Sequence, residues 1–445
     1  MSSTLSDPGA AAVAAGTPAP RTPGQEEPAP GTPAQGAPAP GTPVPETSPG
    51  ARSRPHIVAF DLIRLIIMVF VVGVHTLAFA GGQVTVVLGA VTTVFHTSRE
   101  LFIMLTALVL SYNYGRRPRL QTLRFWRRRY WLVLPAYVTW SAIYYAFDGA
   151  GRGPFPAAFL HDLLTADARY HLYFLLVSMQ MYLLFPAFRW VLRKTEGYHR
   201  WLLAAACAYQ VWLTCALHYH IGQIPGLVPW LNGAGQGYWL ESYVLYVVAG
   251  AIAGWHFERL CTVTRRQLGS VGRITLLAAL GAAAGIGVYL IEIYAFGATP
   301  GNASAVFQPV VIVEAITFGL ALLAGGLLWS DRGAAGRKFC AAGSASSFGI
   351  YLAHPLVLQG LLAVTGAGVT GGLVAGGLLG AVQHLPSGLE LLVLLFVVVP
   401  IIYSAAWLMS SAVRRTPASL LLTGREYTAK NAKKETGARK PVEGA

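Results

Sequence analysis

Ten stretches of about twenty mostly apolar residues follow one another between residues 57 and 409. They lie at 57–79, 88–112, 130–147, 171–192, 201–217, 238–257, 274–294, 307–329, 344–364 and 389–409. Each is long enough to cross a hydrocarbon layer as a helix, because about twenty residues at ~1.5 Å each span ~30 Å. Charged residues make up 12% of the chain, against about 25% in soluble domains. The expected fold is therefore an all-α integral-membrane bundle of about ten transmembrane helices with no separate soluble domain. A Gly-rich run at 366–380 is compatible with a helix extension, a re-entrant piece or a loop.

Residues 1–54 repeat Pro-Ala-Pro-Gly-Thr-Pro and lack both the basic start and the apolar core of a signal peptide. They read as a disordered, partly polyproline tail. Residues 55–412 form the expected membrane domain, and residues 413–445 a basic tail. The four cysteines form no C-x-x-C pair, so neither a disulfide framework nor a zinc site is indicated.

The net charge of +14 has a topological explanation. Arginine and lysine crowd every second connection: Arg116 to Arg129 after the second segment, Arg193 to Arg200 after the fourth, Arg259 to Arg273 after the sixth. Arg332 to Lys338 follow the eighth, and Arg414 onward the tenth. The positive-inside rule places those connections, and hence both termini, in the cytoplasm. It accounts for the charge without any nucleic-acid partner.

Ionisable side chains within hydrocarbon are costly and mark function by default. The first segment carries Asp61, Arg64 and His75. Arg64 and His75 are eleven residues apart, about three turns, so they share one face and stand ~16 Å apart along the axis. Asp61 lies near the same stripe and is also placed to neutralise Arg64. The second segment carries His96, Arg99 and Glu100 at the depth of His75, with His96 and Glu100 spaced i,i+4 on one face. His171 opens the fourth segment, Glu314 lies about two turns into the eighth, and His354 sits mid-depth in the ninth just before Pro355, where it is also suited to cap a kink. A histidine beside a carboxylate suits general-base work, with His75 as base and Glu100 as its carboxylate. No Walker loop, H-E-x-x-H, G-x-S-x-G or dinucleotide fingerprint is present, so ATP, metal and redox cofactors have no support in the motifs.

The order of these pieces resembles the acyltransferase 3 family of membrane proteins. The family pattern Asp-x-x-Arg followed by His is matched by Asp61, Arg64 and His75. Phe102 to Leu108 resembles the Phe-x-x-Leu-Ser-Gly-Phe element, with Thr106-Ala107-Leu108 in place of Ser-Gly-Phe. Arg127, Arg128 and Arg129 through Pro135-Ala136-Tyr137 resemble its basic segment. His171-Leu172-Tyr173-Phe174-Leu175, Tyr182-Leu183-Leu184-Phe185-Pro186 and Ile350-Tyr351-Leu352-Ala353-His354-Pro355 follow in family order. The resemblance implies transfer of an acyl group, commonly acetyl, from acyl-CoA to a hydroxyl of a glycan, glycolipid or metabolite. Acyl-CoA would be a co-substrate, with no bound cofactor. His75 would take the hydroxyl proton. Asp61, Arg64, His96, Arg99, the three arginines 127–129, His171, Glu314 and His354 would line the substrate sites. Export of a polysaccharide or metabolite without transfer is the alternative, since members of this family have been proposed for export.

Overall fold

The computed structural model describes residues 56–81, 84–148, 154–221, 224, 237–364 and 382–427. The Pro-rich segment 1–54, the Gly-rich run 366–380 and the end of the basic tail from 428 lie outside the described residues. Within them the chain is helical, with no strand.

The helices are α1 Ala59–Ala80, α2 Val86–His96, α3 Ser98–Leu110, α4 Thr122–Asp148, α5 Ala157–Thr165 and α6 Tyr173–Lys194. They continue with α7 His199–His218, α8 Val244–Trp255, α9 Phe257–Leu268, α10 Val271–Phe296 and α11 Pro300–Ala303. The last are α12 Val311–Asp331, α13 Arg337–Val364, α14 Ser387–Val393, α15 Val399–Val413 and α16 Ser419–Thr423. All ten apolar segments thus contain helix. Eight stretches are long and apolar enough to cross a membrane. The other two differ for physical reasons. The third segment, part of α4, carries Tyr130, Trp131, Tyr137, Trp140, Tyr144 and Tyr145, which lower its mean hydropathy. The sixth is a shorter apolar stretch, Leu240–Trp255.

The outside of the bundle is apolar where lipid would lie. On α10 Leu276 and Ile291 are 60% and 55% exposed, and Phe396 before α15 is 73% exposed. Such a surface would aggregate in water and is at home in hydrocarbon. α1 sits inside, packed against α2, α3, α12, α13 and α15. α3 and α8 make the closest pair, and the sequence explains why. Gly250 and Gly254, four residues apart on α8, turn one face to the backbone carbonyls of Met104 and Leu108. Small residues at this spacing let two backbones approach closely in a membrane. Gly254→Val should cost about 1–3 kcal/mol or more by forcing the helices apart, read as a lower melting temperature in detergent.

Two prolines expose backbone carbonyls that side chains then fill. Pro186 has no N–H for the carbonyl of Tyr182, and the Trp126 indole donates to that oxygen at 3.0 Å. Pro355 leaves the carbonyl of Tyr351 free, and His354 Nδ1 lies 2.7 Å from it. This second substitution shapes the candidate site.

Candidate functional site

His75 is half-buried on α1 and points into the bundle. Its ring lies 4.7 Å from the Tyr170 ring and is stacked at 5.3 Å on His354 of α13. His354 in turn lies 5.4 Å from His171, the residue two before α6. His171 and His354 are almost fully buried. Three imidazoles from three parts of the chain therefore share one pocket. The rings of Tyr144 and Tyr351 close it, each about 5 Å from His171, and the Tyr351 hydroxyl donates to the carbonyl of His171. Arg169 stands over the Tyr144 and Tyr170 rings and adds a positive field at His171 and His354.

The local sequence sets the proton on His354. A carbonyl can only accept, so Nδ1 must carry the hydrogen it shares with Tyr351. The neutral ring then presents the lone pair of Nε2. That atom is buried and has no hydrogen-bond partner among the described residues. The His-Pro dipeptide thus both interrupts the helix hydrogen bonding and leaves an unsatisfied proton acceptor on a ring packed against His75 and His171.

Glu100 does not serve a histidine. α2 ends at His96 and α3 starts at Ser98, so the turn carrying both residues is broken at Thr97. The Glu100 carboxylate takes both Nε and an Nη of Arg99, at 2.9 and 2.6 Å. Arg99 is held between the Tyr243 and Phe307 rings, at 5.0 and 4.8 Å. A guanidinium beside a buried carboxylate makes a stronger bond than a neutral imidazole can. The expected His–Glu100 pair is thereby replaced by Arg99–Glu100. Glu314 is fully buried near Glu100, and neither carboxyl oxygen has a hydrogen-bond partner among the described residues. His96 lies against the backbone of Ser304 and close enough to His75 for the two to interact electrostatically. Glu292 also has a structural partner: His218 and the Tyr219 hydroxyl donate to it at 3.1 and 2.6 Å, joining α7 to α10.

A cavity of about 810 Å³ opens at the basic end of the bundle. Six arginines line it: Arg64 from α1, Arg128 and Arg129 from α4, and Arg414, Arg415 and Arg425 after α15. Glu426 is the one carboxylate among its lining residues. Hydroxyls of Ser344, Ser346 and Ser347 face it from α13, and Arg414 donates to Ser346 Oγ at 3.2 Å. The inner wall is Phe102, Thr106, Phe174 and Tyr351. Tyr351 therefore lines the arginine cavity and also packs against His171 and His354.

Of the basic residues singled out in the sequence, Arg64, Arg128 and Arg129 come together here. Arg127 lies in a neighbouring hollow with Arg124, Arg128 and Trp131. Asp61 is buried within electrostatic reach of Arg64 and accepts from His56 Nε2 at 2.7 Å. Sequence reasoning missed Arg414, Arg415 and Arg425 as cavity residues. One signal was present, since Arg414 directly follows the tenth segment and so lies at the end that holds Arg64. Other arginines of this end bind backbone instead. Arg189 donates to Tyr114 at 3.0 Å and also to Arg117, and Arg116 donates to Trp255 at 3.1 Å. Among the described residues no grouping of His, Cys, Asp or Glu is arranged to hold a metal ion.

A family profile described as an acyltransferase domain matches residues 57–415. The chain belongs to the acyltransferase 3 family. The match spans the helices from α1 to α15 and includes both the histidine pocket and most of the arginine cavity. With its eight apolar helices, this acyltransferase-family chain is a multi-pass membrane protein. No curated protein and no solved structure matches the chain at a significant level.

Proposed function

We propose that this protein transfers an acyl group, acetyl in the simplest case, from acyl-CoA to a hydroxyl of a carbohydrate, cell-envelope glycan or secondary metabolite. The observation that carries the reading is a three-imidazole pocket and a cavity with six arginines and one carboxylate, with Tyr351 bordering both. Guanidinium groups bind phosphate with paired, charge-assisted hydrogen bonds, and a CoA thioester is rich in phosphate. The basic end faces the cytoplasm in this reading, where acyl-CoA is made, and the protein sits in the cell membrane.

The chemistry balances without a further reactant. The acceptor hydroxyl gives its proton to His75, and its oxygen attacks the thioester carbonyl carbon. The carbon–sulfur bond then breaks, and the departing thiolate takes the proton back from the imidazolium. His354 and His171 surround that base, and the free Nε2 of His354 offers a relay for the proton. Arg169 supplies positive charge where negative charge develops on the carbonyl oxygen.

Purified protein in detergent tests this directly. Acetyl-CoA is supplied with an extract of the cell's glycans and metabolites, and free thiol is measured. Release of thiol that depends on the extract, with label found on a hydroxyl ester, is expected. Movement of an extract component into vesicles with no thioester cleavage would instead make the protein an exporter.

A further inference from the structure

The family match stops at residue 415, but the chain stays in the bundle beyond it. α16 packs against α4, α13 and α15. Ser419 and Thr423 are buried and share a hydrogen bond of 3.2 Å. The Trp140 indole donates to the carbonyl of Leu422 at 3.1 Å, and the Trp131 indole donates to Glu426 at 3.0 Å. Gly424 adopts φ +60°, a conformation that favours glycine. It also lies against the Leu132 carbonyl and the Phe348 ring, where a side chain would collide. Residues 416–427 are therefore a fitted strap across the basic end.

The strap changes the charge of the cavity it closes. Arg425 faces the void and lies within electrostatic reach of Arg414 and Arg64. Crowding by the protein and these two neighbours push the Arg425 pKa below the ordinary arginine value, while Asp61 pulls the other way. Asp61 already accepts from His56, and Glu426 from Trp131. Arg425 makes no ion pair among the described residues. Guanidiniums gathered round a void repel one another until an anion enters.

We propose that residues 416–427 form a donor-binding strap outside the family domain, in which Arg425, beside Arg414 and Arg64, grips a phosphate of the acyl donor and makes the protein prefer phosphorylated over phosphate-free thioesters. The proposal rests on the acyl-CoA reading above. Arg64 alone of these three belongs to a family motif, so the strap adds a selectivity element that the motifs do not contain.

The test is equilibrium binding of labelled acetyl-CoA and of labelled acetyl-pantetheine, which lacks the phosphates, to purified full-length protein. Arg425→Gln is expected to weaken acetyl-CoA binding about tenfold, the scale of one charge-assisted bond. Acetyl-pantetheine binding should stay as in the unaltered protein, and Arg425→Lys should recover much of the acetyl-CoA affinity. Arg332→Gln, after α12 and outside the cavity, controls for net charge and should change neither. Unchanged acetyl-CoA binding in Arg425→Gln would overturn the strap. So would equal loss of both ligands, which marks damage to the fold, or no acetyl-CoA binding by the unaltered protein. If the unaltered protein binds acetyl-CoA, Arg425→Gln weakens that binding selectively, and no thioester is ever cleaved, the strap stands and acyl transfer alone is lost.

Discussion

His75→Ala is expected to lower acyl transfer by roughly 10²–10⁴-fold, the range set by removal of a positioned general base. His75 is the member of the three-histidine pocket that is half-open, whereas His171 and His354 are almost fully buried. An acceptor hydroxyl can therefore reach His75 more readily than the others. Alanine removes the ring contact with Tyr170 and the stacking on His354 but leaves the Tyr351–His354 and Tyr351–His171 bonds in place. The helix should persist, so melting in detergent should change little while thiol release falls. His75→Gln, which keeps most of the volume without a titratable ring, should fall by a similar factor. A folded His75→Ala protein with full transfer activity would remove His75 as the base and leave His354 Nε2 as the next candidate.

Arg64→Met is expected to weaken acetyl-CoA binding by roughly 10–100-fold, because hydrogen bonds to charged groups are worth about 1.5–3 kcal/mol. Methionine keeps an unbranched apolar stem and removes only the guanidinium. Arg64 lines the cavity from α1, the helix that also carries His75, so it links donor binding to the reacting pocket. Salt supplies an independent check. Binding by the unaltered protein should fall as ionic strength rises, since added ions screen the arginines. The Arg64→Met variant should show a shallower dependence, having one charge fewer to screen. Equal affinity and equal salt dependence in the two proteins would take Arg64 out of donor binding.

The two effects separate the parts of the site. Arg64→Met should act on donor affinity and leave the transfer rate at saturating donor nearly intact. His75→Ala should act on that rate with little change in affinity. A variant that lost both in proportion would point to a fold defect instead.

How far the site was legible depends on which residues are compared. Arg64 and His75 share a stripe because α-helical geometry is local: eleven residues make about three turns in any sequence that stays helical. The same local argument failed for His96 and Glu100, since the helix breaks at Thr97 and the neighbouring Arg99 takes the carboxylate. His354 shows both sides. Its neighbour Pro355 already implied a freed carbonyl, which is a local fact. That the ring would then lie against His75 and His171 depended on α1, α13 and the start of α6 meeting in one place.

By itself, the sequence determined where the membrane helices lie, which connections are basic, and which residues share a face of α1. These follow from apolar transfer and helical repeat, both of which act over one or two dozen residues. Only the tertiary structure decided which charges became partners and which were left facing a void. Glu292 of α10 was drawn to His218 at the end of α7, His354 to His75 and His171, and six arginines from three parts of the chain to one cavity. A buried ionic group takes its partner from whichever helix packs beside it, and that choice is made by the fit of whole helices.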